Sequence, residues 1–257
     1  MYPESGKYIF VSDVHLGLKV NNPTLREARF VSFLKGIPGN TVAIFLMGDI
    51  FDFWFEYKYV VPKGFVRTLG ALAELSDRGV KLFFLRGNHD LWTFGYLAGE
   101  LNIEVVNQPF LIKLGQKIFC LGHGDGLTKG DVGYKFLKWL FYNKILQKLF
   151  SGIHPRWTFA MAHAWSSHNR LAKGLRYQFK AQEEPLYKFS SEYEQKNNTD
   201  YFIFGHFHST GEALTPKGAN FFILGEWIHG CEYLVYDAES DKIEWRSGSV
   251  EGHNFNT

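Results

Sequence analysis

The stretch Lys81-Leu82-Phe83-Phe84-Leu85-Arg86-Gly87-Asn88-His89-Asp90 decides how this chain folds. Its apolar first half, 81–85, reads as a strand buried on both faces. Gly87 then allows a sharp backbone turn, so an amide, an imidazole and a carboxylate stand together on the loop that follows. The same grammar recurs along the chain. An apolar run at 8–11 ends in Ser12-Asp13-Val14-His15, and one at 42–47 ends in Gly48-Asp49-Ile50-Phe51-Asp52. A hairpin, 110–114 and 117–121 with its turn at Gly115-Gln116, ends in Gly122-His123-Gly124-Asp125. A run at 201–204 ends in Gly205-His206-Phe207-His208.

Between these strands, helical spacing of apolar residues predicts helices over 24–34, 66–75 and 91–101, while the aromatic run 53–59 reads as a loop or lid. The tail, with runs at 220–224, 232–236 and 242–246, has the alternation of closing antiparallel strands. Helices early and hairpins late predict a mixed α/β (α+β) core of stacked sheets. Polar clusters at strand ends on one edge of such a core converge on a single crevice.

The chain has 257 residues, 46% hydrophobic and 18% aromatic, which is ample for a large core and excludes a disordered chain. Its apolar runs are too short to span a bilayer, and residues 1–7 lead directly into a strand without the apolar region of a signal peptide. Residence in the cytoplasm is therefore expected, with Cys120 and Cys231 as reduced, buried thiols. The net charge of +2 conceals an asymmetry. Residues 132–182 contain no acid but nine cations (Lys135, Lys138, Lys144, Lys148, Arg156, Arg170, Lys173, Arg176 and Lys180), which leaves 19 basic against 26 acidic residues elsewhere. Such sorting points to an anionic partner: a phosphate-bearing ligand, an anionic lipid surface or nucleic acid.

As donors, Asp13, His15, Asp49, Asn88, His123, His206 and His208 form a mixed oxygen and nitrogen set without a thiolate, more than one tetrahedral zinc requires. The set suits two divalent ions of the Mn, Fe or Zn kind, with one carboxylate bridging. Two such ions form a clamp for in-line attack on phosphorus.

Together, Asp13-x-His15, Gly48-Asp49-x-x-Asp52, Gly87-Asn88-His89-Asp90, Gly122-His123 and Gly205-His206-x-His208 resemble the full signature of the calcineurin-like metallophosphoesterases, in family order. The resemblance implies a four-layer αββα sandwich with a dinuclear site. Asp13, His15, Asp49 and His208 would hold one ion; Asp49, Asn88, His123 and His206 would hold the other, with Asp49 as the bridge. His89 would lie over the substrate phosphate as proton donor or oxyanion stabiliser, oriented by Asp90.

Between the last two motifs stands an insertion. From Trp139 on, Trp139, Tyr142, Ile145, Leu146, Leu149 and Phe150 share one helical face, with Lys144, Gln147 and Lys148 opposite. The layout predicts a core of 1–130 and 183–257 carrying a helical, basic and aromatic-rich cap at 131–182. The alternative is a helical pair that merely packs on the core. With Gly48-Asp49-Ile50-Phe51-Asp52-Phe53-Trp54, His123-Gly124-Asp125, Asp131-x-Gly133-Tyr134 and Leu224-Gly225-x-Trp227, the chain is similar to one branch of the superfamily, the UDP-2,3-diacylglucosamine diphosphatases of lipid A biosynthesis. Well-known members of that branch carry Arg where this chain has His89, which leaves two alternatives, a divergent diphosphatase subgroup or a relative acting on another phosphoester.

By that resemblance, water attacks the α-phosphate of UDP-2,3-diacylglucosamine to give UMP and 2,3-diacylglucosamine 1-phosphate, with Mn2+ as the expected ion and Fe or Zn as alternatives. Asp131, Ser166, Ser167, Arg170, Lys173 and Arg176 would touch sugar and phosphates, and the cap's apolar lining would hold acyl chains. The partners expected are this lipid-linked sugar nucleotide and the anionic inner face of the bacterial inner membrane, without nucleic acid. Two competing readings differ in class. A nuclease or nucleotide phosphodiesterase would turn the basic block on nucleic acid, against which the block carries more bulky apolar residues than a stacking platform requires. A non-catalytic scaffold would have lost ligands, and each position of the signature is filled.

Overall fold

The structure, a computed structural model, describes residues 2–129, 132–172 and 177–248, without the side chains of 132, 163 and 165–172. Two sheets face one another. The first has the order β11-β10-β1-β2-β3-β4, the strands being β1 (Lys7–Val11), β2 (Thr41–Leu46), β3 (Lys81–Leu85), β4 (Ile103–Val106), β10 (Glu232–Asp237) and β11 (Lys242–Ser247). The second has the order β5-β6-β7-β9-β8, from β5 (Phe110–Leu114), β6 (Lys117–Gly122), β7 (Tyr201–Phe204), β8 (Gly211–Leu214) and β9 (Asn220–Ile223).

Strands β1 to β4 run parallel because each crossover is a helix: α1 (Pro23–Lys35), α2 (Val66–Asp77) and α3 (Tyr96–Leu101). Alternation then sorts the side chains. Ile9, Ile44 and Leu82 point outward into a core beneath these helices with Phe30, Leu34 and Leu72. Phe10, Phe45 and Phe83 point inward and stack in a row, with centroids 5.0 and 4.8 Å apart. Phe10 meets Phe119 of the second sheet at 5.7 Å. Burying each phenyl ring contributes about 1.5–3 kcal/mol, so this row binds the two sheets together. The far face of the second sheet is covered by α7 (Pro185–Tyr193), through Leu186 and Tyr187 against Phe202 and Phe221. The layers are therefore αββα, as expected.

Five elements differ from the sequence reading: the helix expected over 91–101, β8, β9, α7 and the cap helix. The helix expected over 91–101 starts only at Tyr96, because Trp92 bridges in parallel to Phe55 and Phe94 N–H bonds the Glu56 carboxylate, which holds 91–94 extended. In the tail, β9 runs parallel to β7 and antiparallel only to β8, which the sequence reading lacked, as it lacked α7. The predicted cap helix is two helices, α4 (Val132–Tyr142) and α5 (Lys144–Ser151), since Asn143 turns its side chain onto the N–H groups of Ile145 and Leu146 and starts a new helix. A third, α6 (Pro155–Ala172), follows.

Candidate metal centre

Loops from the C-terminal ends of β1, β2, β3, β6 and β7 meet at one edge of the two sheets. Their tips are conformationally costly: Asp13, His15, Asp49, His206 and His208 have φ of 54, 50, 52, 74 and 55°. A left-handed non-glycine residue costs about 1–3 kcal/mol and persists only where its surroundings over-determine it. Here cross-strand bonds do so, from Asp13 N to Gly48 O at 3.1 Å, His15 N to Asp49 O at 2.9 Å and Trp227 N to Asp13 O at 3.1 Å. The buried guanidinium of Arg26 adds bonds to the carbonyls of His15, Leu18 and Val20. Glycines permit the close approach. A Cβ on Gly87 would collide with the Asp49 carboxylate, and one on Gly205 would lie 2.5 Å from Asp13 Oδ2.

Within this frame the predicted donors converge. Asp13, His15, Asp49 and His208 bring one donor atom each to within 4.8 Å of one another. His208 Nε2 is 3.3 Å from Asp13 Oδ1 and 3.2 Å from His15 Nε2. Asp49 stands between two groups: its Oδ2 is 3.8 Å from His15 Nε2 on one side and 3.4 Å from His123 Nε2 on the other. Beyond His123, His206 Nδ1 follows at 3.3 Å. The side-chain oxygens Asp13 Oδ1 and Asn88 Oδ1 are buried with no hydrogen-bond partner among the described residues. Buried acceptors of this kind require a donor or a cation, and an oxygen and nitrogen cluster of this composition fits divalent ions.

The electrostatics agree. Burial pushes the Asp49 carboxyl up, but His123, His89 and His15 outweigh it and hold it well below the usual carboxylate range. Asp13 is lowered in the same way, by His15, His123 and His208 against burial. His123 responds to the same field: burial opposes its proton, yet Asp49 and Asp13 push its pKa up to about 10. The carboxylates thus favour positive charge among them strongly enough to overcome desolvation. His206 goes the other way, to about 4, through burial and the neighbouring His123, which leaves it a neutral ligand-type imidazole at neutral pH.

Carbonyls and a carboxylate orient the rings. His123 Nδ1 donates to Met47 O at 3.0 Å, which turns Nε2 toward Asp49. His15 Nδ1 faces Asp52 Oδ1 at 3.4 Å. His89 Nδ1 donates to Asp52 O at 2.9 Å, leaving Nε2 of this partly exposed ring for a ligand. The expectation that Asp90 orients His89 is corrected here. Asp90 is fully buried, and its oxygens accept from the backbone N–H groups of Gly87, Asp49, Ile50 and Phe51, tying the β2 and β3 loops together. Burial and the Asp49 charge push its pKa up to about 7. Asp52, three residues after Asp49, is the residue that holds both imidazoles, and the Asp-x-x-Asp spacing was its signal.

The helices α4 to α6 rest on the aromatic run at 53–59, which is a platform. Trp92 Nε1 donates to Phe141 O at 3.1 Å and its ring lies 5.1 Å from Phe150; Phe55 packs on Phe150 and Phe53 on Phe159. Phe150 and Phe141 are thereby docked, whereas Phe136, Trp139, Ile145, Leu149 and Trp157 are each at least 60% exposed. Of the predicted substrate contacts, Asp131, Lys173 and Arg176 lie outside the described residues. Ser166, Ser167 and Arg170 are on α6, and their side chains lie outside them too.

The model of the calcineurin-like phosphoesterase family matches residues 6–210. The UDP-2,3-diacylglucosamine hydrolase of Porphyromonas gingivalis is 36% identical over 253 residues, covering 93% of this chain and 97% of that protein. The hydrolase of the same name from Haemophilus influenzae is 29% identical, over 85% of this chain and 89% of its own. Among solved structures, TT1561 of Thermus thermophilus superposes with a TM-score of 0.51 at 12% identity, covering 95% of this chain and all of that one, a likeness of fold.

Proposed function

The chain belongs to the calcineurin-like phosphoesterase family, and on that premise we propose that it hydrolyses UDP-2,3-diacylglucosamine to UMP and 2,3-diacylglucosamine 1-phosphate, as a step of lipid A biosynthesis. The observation that carries the substrate is the near full-length match, at 36% identity, to a protein of that activity. The cap agrees with it: apolar side chains stand uncovered on helices docked beside a cluster suited to divalent ions, as a substrate with acyl chains and phosphates requires.

In this reading Asp13, His15, Asp49 and His208 hold one ion, and Asp49, Asn88, His123 and His206 the other. Mn2+ is the proposed metal, with Fe or Zn as alternatives. Bound there, the pair supplies Lewis-acid stabilisation of the phosphoryl oxygens and lowers the pKa of water toward about 7. The protein's own groups do the rest. Asp49 joins the two halves of the cluster, and Asp52 fixes His15 and His89. His89, its Nδ1 committed to a carbonyl, offers Nε2 to a phosphoryl or leaving-group oxygen and, in its imidazolium form, donates the Nε2 proton or a hydrogen bond there. Asp131, Ser166, Ser167, Arg170, Lys173 and Arg176 are proposed to bind glucosamine and phosphates.

We further propose that the cap meets the anionic inner face of the bacterial inner membrane from the cytoplasm, peripherally, with its cations on lipid phosphates and its exposed aromatic and aliphatic side chains toward the acyl region. No helix among the described residues is long and apolar enough to cross a membrane.

The test is UMP release by the purified protein, with divalent metal or chelator, from UDP-2,3-diacylglucosamine beside unacylated UDP-GlcNAc. Metal-dependent turnover of the acylated substrate alone is the expected result. Turnover of a generic phosphodiester without UMP release would retain the centre and discard the substrate.

A further inference from the structure

Asp125 lies two residues beyond His123, at the wall of the cluster, yet its side chain is committed to the cap. It is only 2% exposed. Its Oδ1 accepts from Gln108 Nε2 at 2.6 Å, and Gln108 Oε1 in turn accepts from Gly124 N at 2.8 Å, which sets the carboxylate firmly in the core. The other oxygen, Oδ2, accepts from Tyr134 OH and from Lys138 Nζ, both at 2.7 Å. Lys138 Nζ also reaches the Asp125 carbonyl at 3.0 Å. The lysine stem passes over Gly126, where an added Cβ would stand 3.3 Å from Lys138 Cδ.

Tyr134 and Lys138 are four residues apart on α4 and therefore share a face of it. Phe136 and Trp139 of the same helix, their rings stacked at 5.8 Å, are exposed by 64 and 60%. One buried carboxylate thus holds two side chains on one face of the helix that carries this aromatic pair, beside the tie from Trp92 to Phe141 O. The charge of Asp125 also acts on His123 and His206, so it belongs electrostatically to the centre while it is bonded to the cap. A buried carboxylate whose cation is removed is strongly destabilised, because its desolvation is no longer compensated. The ammonium of Lys138 is accordingly a structural partner for Asp125, and it leaves the set of cap cations available to a phosphate.

We propose that Asp125 and Lys138 form a latch that positions the cap over the centre, so that catalysis on a bulky substrate bound partly by the cap depends on the pair while catalysis on a small phosphodiester does not. Both are positioning residues, and the proposal rests on the reading that the cap holds the acylated part of the substrate.

The test compares Lys138→Met, which keeps the stem and removes the charge, with Lys138→Arg, which keeps the charge. Two readouts are taken: kcat/KM on UDP-2,3-diacylglucosamine against bis-p-nitrophenyl phosphate, and amide hydrogen exchange along the chain. Lys138→Met is expected to lose about 10–100-fold on the acylated substrate, the scale of a misplacement of about 1 Å. It should stay within about twofold of wild type on the small diester, with faster exchange in α4 and unchanged exchange in β6. Lys138→Arg is expected to recover the acylated-substrate rate. Equal loss on both substrates, or unchanged α4 exchange in Lys138→Met, would overturn the latch. Failure of the wild-type protein on the acylated substrate would refute the substrate instead, and the exchange data would still judge the latch.

Discussion

At His123 and His89 a main-chain carbonyl accepts from Nδ1, so Nε2 is the nitrogen each ring presents to the site. The convergence of Asp13, His15, Asp49, His123, His206 and His208 could be read from the sequence, since the loops that carry them each open on a glycine or serine at the end of an apolar run. The roles of neighbouring carboxylates could not. Adjacency in sequence pairs His89 with Asp90, but the loop turns Asp90 inward onto backbone N–H groups and brings Asp52 from the previous strand to the imidazole. Three outcomes follow at this scale. Asp49→Ala removes the carboxylate shared by both halves of the cluster and should abolish turnover, measured against metal content; near-normal rates would exclude a bridging role. His89→Ala should keep the metals and lower kcat by roughly 10²–10⁴-fold, the contribution of a general acid. Asp52→Asn should weaken metal binding by about 10–100-fold through His15, as loss of an outer-shell carboxylate does, and titration calorimetry would detect it.

At the level of elements, the positions of β1, β2 and β3 and of the crossover helices α1 and α2 followed from periodicity, because these strands are apolar runs and the helices between them are amphipathic. The signal failed where local sequence was overruled by partners distant in the chain. Leu91 to Phe94, read as the first turn of a helix, is held extended by Phe55 and Glu56. Arg26 sits on the buried side of α1, where apolar spacing gives no hint of a guanidinium clamping the His15 loop. The close loop contacts make glycine substitutions informative. Gly87→Ala would force the β3 loop away from Asp49 and should lower metal occupancy without unfolding the sheets, observable as lost metal at unchanged circular dichroism. On the cap, Lys144→Glu with Lys148→Glu should weaken binding to anionic vesicles by about 1 kcal/mol per cation removed. Unchanged vesicle binding would assign these helices to packing alone.

Across the whole molecule, two sheets locked by a row of phenyl rings form a rigid base, and the edge where their strands end bears the strained, carboxylate-rich loops. An array of buried carboxylates and left-handed Asp and His residues costs stability on its own, so bound cations should restore it. Stripping the protein with chelator is expected to lower Tm, and returning divalent metal at about 100 times Kd should return about 2.7 kcal/mol. The measurement that goes most directly to the central proposal is hydrolysis of UDP-2,3-diacylglucosamine with divalent metal in oxygen-18 water, followed by mass spectrometry of both products. Attack at the α-phosphate predicts one heavy oxygen in UMP and none in the diacylglucosamine 1-phosphate. Heavy oxygen in the sugar phosphate, or no UMP at all, would contradict it.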